Sequence, residues 1–132
     1  MFHIGQHDLS PAQARSLLGS EVLIGRSTHD LDQARAAVED PEVDYICTGL
    51  LWETPTKPGR PATGRGFVRD VSGLMEGSAA AGTPWFAIGG IDVDRLPEVL
   101  NAGASRIVVV RSITKAPDPG VAARQLRGLI RD

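Results

Sequence analysis

Trp85-Phe86-Ala87-Ile88-Gly89-Gly90-Ile91-Asp92 is the stretch that decides the fold. Four apolar residues in a row, without alternation and too few for a helix, read as a strand buried on both faces. Two glycines end it, and Val93, Leu96, Val99 and Leu100 then recur at helical spacing until Gly103. Strand, glycine turn and helix together make one βα unit.

The same unit repeats on either side. Upstream, Val43 to Thr48 is a strand, residues 50–66 are a loop rich in Pro, Gly and Thr, and Phe67 to about Ala80 is a helix with Phe67, Val71, Leu74 and Met75 inward. Before that, Val22-Leu23-Ile24-Gly25 is a strand, and Asp30 caps a helix carrying Leu31, Ala34, Ala37 and Val38 on one side. Phe2-His3-Ile4 is the first strand, and Ser10-Pro11 opens a helix to about Leu18, with Ser as N-cap and Pro in the first turn. Downstream, Ile107-Val108-Val109-Val110 is the fifth strand, and Asp118-Pro119 opens a last helix through Leu126 and Leu129. Five βα units predict an α/β fold with a parallel sheet covered by helices, in one domain over residues 1–132. An open doubly wound sheet and part of a (β/α)₈ barrel both satisfy this pattern.

The chain has 132 residues and a formal charge of −2, enough for one core and nearly neutral. Charges of both signs are mixed, without a basic stripe or aromatic platforms, so neither nucleic acid nor a membrane surface is an expected partner. The single Cys47 excludes an internal disulfide, and with three His it argues against a zinc cluster. Within Tyr45-Ile46-Cys47 it reads as a buried structural thiol. No secretory apolar segment opens the chain, and no apolar run approaches the roughly 20 residues of a membrane helix, so a soluble cytoplasmic protein is expected.

The polar motifs all fall where strands end, which is where parallel α/β folds bind ligands. Gly5-Gln6-His7-Asp8, Ser27-Thr28-His29, Thr54-Pro55-Thr56-Lys57-Pro58-Gly59, Gly89-Gly90 and Arg111-Ser112 follow the five strands in turn. Hydroxyls and one lysine in a proline-stiffened loop suit phosphate oxygens, and Gly-Gly lets backbone N–H groups approach an anion. Two such places predict a ligand carrying more than one phosphate. Lys57 would stabilise a departing diphosphate as a compact charge. Asp8 is either a turn residue before Ser10 or a Mg²⁺ ligand, since Mg²⁺ is usually held by one or two carboxylates plus phosphate oxygens. Ser27 is a candidate ligand contact; a covalent serine mechanism with His29 is disfavoured because neighbours at a strand end point apart. His3 and His7 read as surface or packing residues rather than metal ligands. The backbone at Arg111 offers a second phosphate edge.

Together, His3-Ile4-Gly5-Gln6-His7-Asp8, Ile24-Gly25-Arg26-Ser27-Thr28-His29, Asp44-Tyr45-Ile46, Thr54-Pro55-Thr56-Lys57-Pro58-Gly59, Ala87-Ile88-Gly89-Gly90-Ile91 and Ala102-Gly103-Ala104 resemble the thiamine phosphate synthase family in order and spacing. The resemblance covers essentially the whole chain. It implies a partial (β/α)₈ TIM barrel: about five parallel strands with covering helices, beginning at what resembles the family's fourth strand, with the N-terminal three βα units missing. It implies a transferase of thiamine biosynthesis that couples hydroxymethylpyrimidine diphosphate to thiazole phosphate and releases diphosphate through a dissociative step. By position, Ser27 and Lys57 resemble catalytic contacts to the pyrimidine diphosphate. Thr54, Thr56, Gly90 and the Val110-Arg111 backbone resemble the seat of the thiazole phosphate, Pro55 resembles a further substrate-binding residue, and Asp8 resembles one of two Mg²⁺ carboxylates. The family's Gln/Arg/Lys clamp and Asn-Asp pair have no counterpart here, so self-association or an N-terminal-half partner is implied to complete the barrel. Two alternatives stay open: a thiazole tautomerase-like isomerase using His29 as acid/base, and a non-catalytic phosphate-binding fragment that needs a partner.

Overall fold

Strands and helices alternate as β1 (Phe2–Ile4), α1 (Pro11–Leu18), β2 (Ile24–Thr28), α2 (Leu31–Glu39), β3 (Tyr45–Thr48), α3 (Gly64–Glu76), β4 (Trp85–Ile88), α4 (Leu96–Asn101), β5 (Ile107–Val108), α5 (Arg111–Thr114) and α6 (Pro119–Leu129). The computed structural model describes residues 1–55, 58–59, 61–77 and 82–130. Side chains that accept backbone N–H groups set three of the helix starts. Ser10 Oγ accepts from Gln13 N–H at 3.2 Å while Gln13 Oε1 accepts from Ser10 N–H at 2.9 Å, a reciprocal cap for α1. Asp30 Oδ1 accepts from Gln33 N–H at 2.8 Å, and Asp118 Oδ1 from Val121 N–H at 2.9 Å, opening α2 and α6 as the sequence predicts.

All strand pairs are parallel, in the order β1-β2-β3-β4-β5. That order separates the two architectures: a doubly wound sheet reverses direction at a switch point, whereas a barrel adds each strand beside the last. The described sheet is therefore a barrel-type segment. Alternation sorts its side chains onto two faces. One face sends Ile46, Trp85 and Ala87 into a core with Ala34, Ala37, Val68, Val71, Leu96, Val99 and Leu126 from the helices. Ile4 and Ile24 pack on Ala14 of α1 in a smaller cluster. The other face carries His3, Ser27, Tyr45, Cys47, Phe86 and Ile88, and helices leave its strand ends open as a cavity.

Several boundaries differ from the sequence expectation: β3 begins at Tyr45 rather than Val43, α4 begins at Leu96 rather than Val93, and three more have a visible cause or limit. β2 starts at Ile24 because Arg15 Nη1 takes the Val22 carbonyl at 2.6 Å and Asp44 Oδ2 accepts from Ile24 N–H at 2.7 Å. Ser27 and Thr28 therefore lie inside a strand rather than after it. β5 is shorter than Ile107–Val110, because Val110 caps the short helix α5 that begins at Arg111. α3 starts at Gly64, ahead of Phe67, and ends at Glu76; its expected extension to Ala80 runs into residues 78–81, outside the described residues. Among the described residues no helix is long and apolar enough to cross a membrane.

Candidate functional site

A cavity of about 450 Å³ opens at the C-terminal ends of β2 to β5, within the usual ~300–1,000 Å³ of small-ligand sites. Ser27, Thr54, Pro55, Gly90, Val110 and Arg111 all line it. Four stretches well apart in the chain supply these six, so four of the five strand-end motifs converge on one place. Thr56 and Lys57 lie outside the described residues. Asp8 is exposed, is not among the lining residues, and its Oδ2 accepts from Gly5 N–H at 2.6 Å.

The floor is built on strand register. His3 pairs with Gly25 across β1–β2 and Gly25 with Tyr45 across β2–β3, which brings the His3 and Tyr45 rings to 5.6 Å between centroids. The Tyr45 ring occupies the space a Cβ at Gly25 would need, so only glycine fits there. His3 Nδ1 is 3.3 Å from the Tyr45 hydroxyl and His3 Nε2 is 2.8 Å from Ser27 Oγ. Burial pushes the Tyr45 hydroxyl above its ordinary pKa, with the neighbouring Cys47 adding to the shift, so the phenol stays protonated at neutral pH. In the tautomer that takes the phenol hydrogen at Nδ1, His3 Nε2–H donates to Ser27 Oγ and the Ser27 hydrogen is available to a ligand oxygen. His3 was expected as a surface or packing residue; it is exposed and also lines the cavity beside Ser27. Cys47 is buried as expected, and its position next to Ser27 in the ladder makes it a lining residue too.

The rim comes from the loop after β3 and the turns after β4 and β5. Leu50 and Leu51 are buried, and the loop is tied down by Leu51 N–H to Ile88 O and Trp52 N–H to Gly89 O, both 3.1 Å. Thr63 N–H returns to Leu50 O at 2.8 Å, closing the loop at its base. Gly90 has φ 71, and a Cβ there would stand 2.8 Å from Trp52 Cβ, so its freedom serves close packing of two loops as well as a bare backbone. Intrahelical bonds of α5 begin with Ile113 N–H to Val110 O, which leaves the earlier N–H groups of Arg111 and Ser112 ahead of the ladder. Ser112 Oγ donates to Ile91 O at 3.1 Å and joins the β4 and β5 turns. The loops after two successive strands and the start of a short extra helix are a recurrent phosphate seat in barrels. His29 lines the opposite wall, its Nδ1 bonded to Gly49 O.

Sequence reasoning passed over Arg95, Asp92 and Glu53 as lining residues, since they flank the motifs rather than form them. Ile88, Val108, Val109 and Leu50 supply apolar wall. An apolar body with an anionic end suits this combination. Mg²⁺ is usually held by one or two carboxylates with phosphate oxygens and water. Asp8 is a lone exposed carboxylate outside the cavity lining, and no group of three or more His, Cys, Asp or Glu able to hold a metal occurs among the described residues.

Comparison with known proteins agrees with the site's chemistry. A family model described as thiamine monophosphate synthase matches residues 1–113. A thiamine-phosphate synthase of Mycolicibacterium vanbaalenii is 56% identical over 132 residues, covering 98% of this chain and 56% of the relative. One of Acidothermus cellulolyticus is 54% identical over 125 residues, covering 95% of this chain and 57% of the relative. The chain thus spans little more than half the length of these relatives. The thiamine phosphate pyrophosphorylase of Pyrococcus furiosus superposes with TM-score 0.80 at 26% identity, covering 97% of this chain and 57% of that one. A 3-hexulose-6-phosphate synthase superposes with TM-score 0.53 at 26% identity, covering 91% of this chain and 53% of that one. Strand order, the converging motifs and these matches lead to one assignment: the chain belongs to the thiamine monophosphate synthase family.

Proposed function

We propose that the chain is a thiamine phosphate synthase or its C-terminal portion, a cytoplasmic transferase that couples hydroxymethylpyrimidine diphosphate to thiazole phosphate. The observation that carries this is the convergence of Ser27, Thr54, Pro55, Gly90, Val110 and Arg111 on one cavity. The bond from the pyrimidine methylene to the diphosphate oxygen breaks with its electron pair leaving on diphosphate, and the thiazole nitrogen donates its lone pair to the methylene carbon. Little proton chemistry is needed; the protein's task is to hold two anions and neutralise the one that departs. Lys57 would neutralise the departing diphosphate as a point charge. Ser27, held by His3, gives its hydroxyl hydrogen to the pyrimidine substrate. Gly90, Thr54, Thr56 and the backbone at Val110 and Arg111 seat the thiazole phosphate, and the apolar wall receives the ring. Asp8 would hold Mg²⁺, which when bound supplies further charge neutralisation on the diphosphate.

In the described sheet β1 and β5 each pair on one side only. A second copy or an N-terminal-half partner pairing there would complete the barrel and bring the remaining diphosphate contacts. The test is a coupling assay with both substrates, on the chain alone and with an added N-terminal half of a relative, for wild type and Lys57→Ala. We expect turnover that Lys57→Ala lowers by about 10²-fold or more with the fold intact. Full activity in that variant contradicts the leaving-group role. Phosphate binding without turnover in any combination favours the non-catalytic alternative.

A second reading has its own support: His29 lines the same cavity, its Nδ1 bonded to Gly49 O. A thiazole tautomerase would lose isomerisation on His29→Asn, whereas coupling would only weaken.

A further inference from the structure

Arg95 lines the cavity, belongs to none of the motifs that mark the site, and joins two loops that the sequence leaves independent. Its Nη1 donates to Gly90 O at 2.8 Å. Its guanidinium carbon stands 5.0 Å from the centre of the Trp52 ring. Asp92 holds the arginine from behind: Oδ1 accepts from Arg95 N–H at 2.9 Å and Oδ2 is 3.6 Å from Nε. We propose that Arg95 is a positioning residue for the phosphate seat, pinning the Trp52 loop after β3 to the Gly90 turn after β4. The proposal rests on reading the cavity as that seat.

The geometry suits a guanidinium and no other side chain. A planar cation can lie over an aromatic ring and still donate in its own plane to a carbonyl, whereas an ammonium has neither the plane nor the fork. The two segments it joins carry different halves of the seat. Trp52 leads directly into Thr54 and Pro55, and Gly90 leads into Ile91, which Ser112 Oγ in turn ties to α5. Because the Gly90–Ile91 peptide is planar, fixing its oxygen on Arg95 also fixes the direction of the Ile91 N–H. Contact between the segments is already close, with Trp52 N–H donating to Gly89 O at 3.1 Å. Among the described residues one main-chain bond secures Trp52 there, beside that of Leu51 N–H to Ile88 O, and Arg95 supplies the side-chain closure. Arg95 therefore acts through backbone direction and loop position, not as a group on the reacting atoms.

The test pairs inorganic phosphate titration by calorimetry with amide hydrogen exchange at Leu51 and Trp52, on wild type, Arg95→Ala, Arg95→Lys and Trp52→Leu. We expect Arg95→Ala to weaken phosphate binding about tenfold and to speed Trp52 exchange by a similar factor. Arg95→Lys should resemble Arg95→Ala in both, since charge alone does not restore a stacked fork. Trp52→Leu should weaken phosphate binding with Arg95 intact. Unchanged exchange at Trp52 in Arg95→Ala overturns the pin, whatever phosphate does. Faster exchange with wild-type phosphate affinity overturns its role in the seat. A wild-type chain that binds no phosphate, while Arg95→Ala still frees Trp52, defeats the phosphate reading and leaves the pin standing.

Discussion

His3 Nε2 stands 2.8 Å from Ser27 Oγ, across a register that pairs His3 with Gly25 rather than with Ser27 itself. The bond forms because both side chains project from the same face of adjacent parallel strands. Its consequence is that Ser27, a residue the family pattern marks, has its hydroxyl oriented by a residue the pattern leaves unexplained. His3→Ala should lower coupling turnover about tenfold, the worth of one oriented hydrogen bond. Thermal stability should hardly move, since His3 is exposed. Steady-state kinetics beside a melting curve checks both halves.

Gly25→Ala attacks the same network from below. A Cβ there collides with the Tyr45 ring, and the ring has Phe86 edge-on at 5.9 Å on its other side. Relief requires moving Tyr45 away from His3. We expect a loss of about 1–3 kcal/mol in urea unfolding, together with the His3→Ala loss of turnover. Unaltered stability would show that the ring has room the structure does not display.

Thr48 offers a gain instead. Its Oγ1 is buried between sheet and helices with no hydrogen-bond partner among the described residues. Replacing a buried, unpaired hydroxyl with a methyl group of the same shape removes a desolvation cost, so Thr48→Val should stabilise by ~1 kcal/mol. Chemical denaturation with unchanged m-value is the check.

Acid sensitivity should concentrate at the opposite end of the sheet from the cavity. Asp44 accepts from Ile24 N–H at 2.7 Å and from Arg15 Nη2 at 2.8 Å; the backbone bond first, then the guanidinium, hold its carboxyl below the ordinary carboxylate range against the opposing effect of burial. A folded pKa below the unfolded one adds stability above the unfolded value, and that stability is lost as pH falls through the folded one. Wild type should therefore lose stability progressively below about pH 4. Asp44→Asn should be less stable at pH 7 and show a flatter acid limb. Urea titrations from pH 7 to pH 3 compare the two slopes.

Apolar runs and caps made most of the fold legible. Ile46 and Ala87 mark buried strands, and Ser10, Asp30 and Asp118 mark helix starts that the structure realises atom for atom. The strand Ile24–Thr28 was displaced because Gly, Arg, Ser and Thr carry no apolar signal; ladder register and the Asp44 bond define it instead. α5 was missed for a similar reason, being a four-residue helix held by bonds back to Val110. Ser27, Thr54, Gly90 and Arg111 were legible as cavity residues because glycine, hydroxyl and basic side chains gather at the strand ends. His3 and Arg95 were not, since each enters through a partner distant in sequence, Ser27 for one and Trp52 for the other.

The most direct test of the account follows ¹H–¹⁵N shifts of the wild-type chain as thiazole phosphate is added. We expect saturable changes at Gly89, Gly90, Arg111 and Ser112, with smaller ones at Trp52 and Thr54 and little at the Arg15–Asp44 end of the sheet. Shifts absent from the Gly90 and Arg111 turns, or confined to another surface, would contradict the phosphate seat and with it the proposed function.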